Sequence, residues 1–127
     1  MDDAALAALD TEGYIALVTF RRSGRAVSTP VWFAARDGKL YVFSAGNAGK
    51  VKRLRNDPSI RIAPCSVRGT VQGAWIEGRA RRVDDRDGIR TAYEALRRKY
   101  GWQMWLADFF SRLSGRIEQR AFLELEI

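Results

Sequence analysis

The stretch SAGNAGKVKRLRNDP, residues 44–58, joins the end of a hydrophobic run to a short basic segment. The run that ends at Ser44 predicts a β-strand. The small residues after it predict a turn, and the segment that follows predicts a short helix capped by Asn47. Four cations lie within six residues of that helix: Lys50, Lys52, Arg53 and Arg55. Because a helix N-terminus also attracts negative charge, the stretch predicts a site for an anionic group such as a phosphate.

A solvated basic helix face is the alternative interpretation of this run of charge. Three features favour the anion site. Gly46 and Gly49 allow a ligand to approach the backbone closely. Val51 and Leu54 are spaced to anchor the helix on a core. The helix itself contains no acidic residue that would neutralise its cations.

The rest of the chain reads as strands with a few helices. Hydrophobic runs and alternation predict about six strands, at residues 14–20, 26–35, 40–44, 59–65, 74–83 and 121–127. Helical spacing and capping patterns predict helices at residues 3–9, 84–99 and 103–113. This order predicts a mainly β (α+β) fold, a small antiparallel barrel with short helices. A chain of 127 residues without repeats or a linker predicts a single domain, residues 1–127.

Pro30 is unusual within the second predicted strand. A proline cannot donate a ladder hydrogen bond, so it belongs on an edge strand or at a bulge. Either position leaves neighbouring main-chain groups free. An ordinary solvent-facing edge and a ligand-facing edge are both compatible with this position.

The sequence contains no histidine. Its absence excludes Ser–His and Cys–His nucleophiles, most zinc sites, and haem held by a proximal histidine. We therefore expect no metal site and assign no catalytic side chain. If the protein is an enzyme, a cofactor is expected to supply the reactive atom while the protein orients it.

Charge and composition narrow the choice of partner. The net charge is +7, which favours an anionic ligand. The cations outside residues 44–58 are scattered and match no nucleic-acid-binding motif, so we expect no specific nucleic-acid partner. No apolar run is long enough for a membrane span, and no signal peptide is apparent. Together with the single Cys65, this predicts a cytoplasmic protein. The aromatic stretch 103–113 is best covered by a second copy in a dimer.

Several motifs occur in a characteristic order. They are TPVWF at 29–33, LYVFS at 40–44, the S-x5-K-V-K-R-L-R-N-D-P stretch, IAPC at 62–65 and RKYGW at 98–102. In this order and spacing, across roughly residues 13–102, the chain resembles the pyridoxamine 5'-phosphate oxidase-like split-barrel flavin-binding superfamily. More closely, it resembles the branch of that superfamily that depends on the deazaflavin coenzyme F420.

The resemblance implies a six-stranded antiparallel split β-barrel that forms a homodimer, with two cofactor sites in the grooves between subunits. It implies a phosphate site at Ser44 and Lys50, and it places Lys52 and Arg55 near the phosphate or near the acidic tail of the deazaflavin. Main-chain groups of the second strand would face the cofactor ring, at Thr29, Pro30, Val31 and Trp32. Trp75 and Trp102 are expected contacts from the partner subunit.

The function that the resemblance implies is an oxidoreductase. It would transfer a hydride between bound coenzyme F420 and a small unsaturated or quinone-like substrate. An FMN-dependent enzyme that uses the same groove is one alternative. A flavin or deazaflavin carrier, or a sensor without chemistry of its own, is another. The histidine and arginine pattern with which vitamin-B6 oxidases bind substrate is missing, which argues against pyridoxamine phosphate as the substrate.

Overall fold

The computed structural model describes residues 1–45, 48–105, 108 and 120–127. The named elements within these residues follow in the order α1 (Asp3–Leu9), β1 (Tyr14–Phe20), β2 (Ala26–Val31), β3 (Phe33–Arg36), β4 (Lys39–Ala45), α2 (Gly49–Asn56), β5 (Ser59–Cys65), β6 (Ile76–Val83), α3 (Arg86–Tyr100) and β7 (Arg120–Glu126). Residues 102–105 are also helical. Most of the helix predicted at 103–113 lies outside the described residues.

The strands form one antiparallel sheet in the order β2-β1-β5-β6-β7-β4-β3. The two edge strands, β2 and β3, follow one another in the chain and are separated only by Trp32. A chain reaches less than about 4 Å per residue. The two edges of the sheet must therefore meet at Trp32, and the sheet curls into a barrel.

The predicted count of six strands is wrong by one, because the strand expected at 26–35 breaks at Trp32. The cause is Tyr100 at the end of α3. Its hydroxyl accepts a hydrogen bond from the Phe33 N–H at 2.9 Å, and it lies 2.9 Å from the carbonyl oxygens of Phe33 and Gly13, to one of which it donates. The Trp32 ring stacks on the Tyr100 ring, with centroids 4.5 Å apart. These contacts hold the main chain in a bend between the two strands.

Two cores lie on opposite faces of the curled sheet. The inner core fills the barrel with apolar side chains from every strand, and Leu6, Leu9 and Leu54 close it from α1 and α2. The outer core lies where the amphipathic helix α3 packs on β3, β4 and β7. Its largest members are Tyr41, Leu96, Tyr100, Met104 and Phe122.

An opening interrupts the barrel wall beside Trp32. β3 pairs with β4 only as far as Val42, so residues 43–45 of β4 pair with β7 alone. β2 pairs only with β1, so its other edge has no strand partner. Because β3 continues directly from β2, the free edge of β2 and the end of β4 lie on the same side of the barrel. We call this opening the split, bounded by residues 26–31 and 43–45.

Among the described residues, the structure contains no helix with both the length and the apolar character needed to cross a bilayer.

Candidate functional site

Helix α2 begins at the end of β4, next to the split. Its N-cap is Ala48, and among the described residues no side chain caps its first turn. The prediction that Asn47 is the cap is therefore wrong, because the helix begins later in the chain, and Asn47 itself lies outside the described residues. A helix whose first turn has no side-chain cap keeps N–H groups that an anion can satisfy.

Lys50 lies in the first turn of α2 and is half-buried. Burial and then the charge of Arg53 lower the pKa of its ammonium group below the usual value. Among the described residues, no carboxylate forms an ion pair with Lys50. A desolvated cation without a counter-charge is well suited to an anionic ligand.

Arg53 lies one turn further along the same side of α2. Its Nε donates a hydrogen bond to the Thr19 hydroxyl at 2.6 Å, which ties the helix to the end of β1. Its guanidinium packs over Gly49 so closely that a Cβ there would lie 2.6 Å from Nη1. Burial and then the charge of Arg21 lower the pKa of the group. Arg53 thus adds a second cation with no acidic partner among the described residues at the start of the helix.

Arg53 is one of the four cations of the anion site predicted from the sequence, but the cofactor contacts implied by the resemblance were Lys50, Lys52 and Arg55 without it. The available signal was helical spacing, because residues three apart lie on the same side of a helix. The other two predicted cations, Lys52 and Arg55, are exposed, and helical geometry turns them to the opposite flank. Arg55 lines a cavity against β6. The structure therefore groups Lys50 with Arg53 and separates both from Lys52 and Arg55.

Ser44 lies near the end of β4 and is 9% exposed. Strand alternation puts it on the same face as Leu40 and Val42, which belong to the barrel core. On one side it pairs with Ala121 of β7, and on the other side, toward the split, this part of β4 has no partner strand. The side chain is thus directed into the end of the barrel that α2 covers.

The β2 residues expected to face a cofactor ring have different environments. The Thr29 hydroxyl oxygen is buried and has no hydrogen-bond partner among the described residues. Pro30 is exposed on the edge strand, as predicted, and a Cβ built on Gly69, in the loop after β5, would lie 3.7 Å from its Cδ. Val31 is part of the barrel core, so only its main chain is available to a ligand. Trp32 is half-buried against Tyr100 and Phe43.

The two tryptophans expected from a partner subunit are both exposed. Trp75 precedes β6 and is 45% exposed, and Trp102 follows α3 and is 70% exposed. Large apolar side chains with this exposure are typical of surfaces that another molecule covers. Their contribution to a site remains a prediction.

The described residues fit a phosphate-bearing planar ligand at the split. Two half-buried cations that form no ion pair with a described residue lie on one flank of α2, Lys50 in the first turn and Arg53 in the second, and a buried hydroxyl with no described partner lies on the free edge strand. Three cavities lined by residues of β5, β6 and β7 lie apart from these groups. In the described part of the chain, no three His, Cys, Asp or Glu side chains are grouped as a metal site would require.

A profile of the family described as "Pyridoxamine 5'-phosphate oxidase" matches residues 1–127. The chain belongs to this family. The resemblance to the split-barrel superfamily is thereby confirmed, and the fold class with it, the barrel having seven strands in place of six. A search of curated proteins found no match.

Solved structures with this fold differ widely in what they are named for. A 5-nitroimidazole antibiotic resistance candidate from Bacteroides thetaiotaomicron is 17% identical, over 98% of this chain and 78% of that one, with a TM-score of 0.70. The heme storage protein HutZ from Vibrio cholerae is 12% identical, over 98% and 88%, with a TM-score of 0.71. An FAD-binding protein from Mesorhizobium loti is 18% identical, over 100% and 88%, with a TM-score of 0.63. At these identities the comparison shows the shared fold.

Proposed function

We propose that this protein is an oxidoreductase that binds coenzyme F420 along the split and transfers a hydride to or from a small unsaturated or quinone-like substrate. The observation that carries the proposal is the pair of half-buried cations, Lys50 and Arg53, on the flank of α2 that faces β1, the strand to which β2 is paired. The bound cofactor would supply the hydride chemistry.

The chain's own residues would bind and orient that cofactor. Lys50, Arg53 and the first turn of α2 would hold its phosphate, since charge-assisted hydrogen bonds to an anion are among the stronger polar contacts. A proline on an edge strand points its nitrogen away from the neighbouring strand, so main-chain groups of β2 near Pro30 would meet the ring. The buried Thr29 hydroxyl would form a hydrogen bond with the bound cofactor. Lys52 and Arg55 lie on the opposite flank of α2, so we assign them no contact with the cofactor.

FMN in the same groove is the second candidate, and the FAD-binding relative supports a flavin over a deazaflavin. A carrier or sensor is the non-enzymatic alternative, supported by the fact that one structural relative is named for storage. Storage of haem on a proximal histidine is not proposed, because the sequence contains no histidine. The lone, buried Cys65 supports a reducing, cytoplasmic location.

We also propose that two copies of the chain form the groove together. The exposed Trp75 and Trp102 support this arrangement, because a second copy would cover them. Sedimentation at micromolar concentration tests it. A dimer is expected, and a monomer would remove the inter-subunit groove from the proposal.

Titration of the purified protein with F420 and with FMN, followed by fluorescence or calorimetry, tests cofactor binding. We expect one of them to bind with a Kd below about 100 μM, and Lys50→Ala to weaken it about tenfold or more. Lys52→Ala is the matched control from the opposite flank and should change affinity less. Binding of neither cofactor would reject the proposal. Binding without turnover of reduced cofactor by quinones would favour the carrier.

A further inference from the structure

A cavity of about 490 Å³ opens on the flank of α2 that faces β6 and β7. Its floor is made of Val51, Leu54, Ala80 and Leu123, of which the last three belong to the barrel core. These four side chains are at least nine-tenths buried, and the cavity lies above them, at the point where β6 contributes only the small side chain of Ala80. The volume lies within the range of small-molecule sites, about 300–1,000 Å³.

The rim of this cavity carries an excess of positive charge. It is lined by Arg55, Arg81 and Arg82 against a single carboxylate, Asp84. Arg81 is bound to the buried Glu124 at 3.1 Å, and Arg82 lies 3.6 Å from Asp84. Arg55 forms no ion pair with any described residue. One guanidinium at the mouth of an apolar cavity thus has no counter-charge.

This cavity is separate from the groove proposed for the cofactor. The buried ridge of Val51 and Leu54 divides the two flanks of α2. On the flank toward β1, Arg53 is fixed by the Thr19 hydroxyl and covers Gly49. On the flank toward β6, Arg55 stays exposed beside an open volume.

We propose that this cavity is a second ligand site, for a small carboxylate with a compact apolar body. The planar guanidinium of Arg55 matches a carboxylate, with Arg82 as a second donor. The apolar body would lie over Leu54 and Ala80, which keep more exposed surface than the other two apolar lining residues. Asp84 on the rim disfavours a second negative charge on the ligand, so a monoanion fits better than a dianionic phosphate.

Calorimetric titration of the full chain with 2-naphthoate tests this site. We expect saturable binding with a Kd at or below about 1 mM and a clear preference over 2-naphthalenemethanol, which has the same rings without the charge. Arg55→Gln should weaken 2-naphthoate binding about tenfold. Lys52→Gln removes a neighbouring cation of the same helix that does not line the cavity, and it should leave the affinity within about twofold.

A second experiment tests whether 2-naphthoate binds in this cavity and not in the proposed cofactor groove. Saturating FMN and the Lys50→Ala variant should leave 2-naphthoate binding unchanged, even if FMN itself does not bind. Three outcomes would overturn the proposal: no binding up to 10-fold above the expected Kd, displacement by FMN, or equal losses for Arg55→Gln and Lys52→Gln. Equal losses would mean a diffuse electrostatic effect without a site.

Discussion

The hydroxyl of Tyr100 holds the bend that lets one segment form both edges of the sheet, and Tyr100→Phe tests this role. The substitution keeps the ring and its stacking on Trp32. It removes the hydroxyl that accepts from the Phe33 N–H and donates to one of two carbonyl oxygens, all at 2.9 Å. The Phe33 N–H would be left buried without this partner.

The expected cost follows from that loss. Removing one partner from a buried hydrogen bond costs about 1–3 kcal/mol, because the remaining group stays desolvated. Unfolding entropy is about 2.1 cal/mol/K per residue near 60 °C, which for 127 residues gives about 0.27 kcal/mol/K. The variant should therefore melt about 4–11 °C below the wild type.

Thermal unfolding followed by circular dichroism, at one fixed protein concentration, measures this shift. Tyr14→Phe is the matched control, because Tyr14 is half-buried and its hydroxyl makes no hydrogen bond to a described residue. Its melting temperature should change by no more than about 2 °C. A shift for Tyr100→Phe as small as that of the control would refute the role given to this hydroxyl.

Three further outcomes are expected. A Cβ at Gly78 would overlap the carbonyl oxygen of Glu126, so Gly78→Ala should lower the free energy of unfolding by about 2 kcal/mol or more. A Cβ at Gly13 has no atom within 4 Å, so the control Gly13→Ala should lower it by less than about 0.5 kcal/mol. Urea unfolding measures both values. Burial alone would raise the pKa of Glu124, but hydrogen bonds from its basic neighbours outweigh burial and lower that pKa. The ionised Glu124 therefore stabilises the folded protein above the unfolded pKa of about 4.3, and this contribution disappears as pH falls through the folded pKa. Glu124→Gln should therefore be about 1–3 kcal/mol less stable at pH 7, and the difference should shrink as pH falls below about 4.3 in the same assay. A constant difference would contradict the linkage. Thr19→Val should weaken cofactor binding about threefold to tenfold by freeing the Arg53 guanidinium, whereas Thr19→Ser, which keeps the hydroxyl, should bind like the wild type. Equal affinities of the two variants in titration would show that the hydrogen bond does not position the guanidinium.

Local pattern was sufficient to predict most elements. The bounds of α1, β1 and β5 agree with those predicted, because each has a clear apolar pattern between turn or capping residues. The break at Trp32 had no local signal. Its cause is a hydrogen bond from the Phe33 N–H to the hydroxyl of a tyrosine 67 residues away in the chain, and such a contact depends on how α3 docks. Local propensity favours a continuous strand there, and the tertiary contact overrides it.

The candidate site was predictable in part for the same reason. The cations of α2 and the place of Ser44 at the strand end follow from the sequence. The buried positions Val51 and Leu54 define the side of the helix that faces the core. Helical spacing then puts Lys50 and Arg53 on one flank of that side, and Lys52 and Arg55 on the other. Which flank faces β1 depends on the hydrogen bond between Arg53 and Thr19, two residues that no sequence pattern connects.

The single residue between β2 and β3 also determines where the chain can tolerate a change in length. One residue inserted at Trp32 would turn every following side chain of β3 to the other face, so Phe33 would leave the barrel core and meet α3 instead. The same insertion at the Asp37–Gly38 turn would lengthen an exposed loop and leave both strands in register. Length variation among relatives is therefore expected at residues 37–38 and not at residue 32, although the two positions are only a few residues apart.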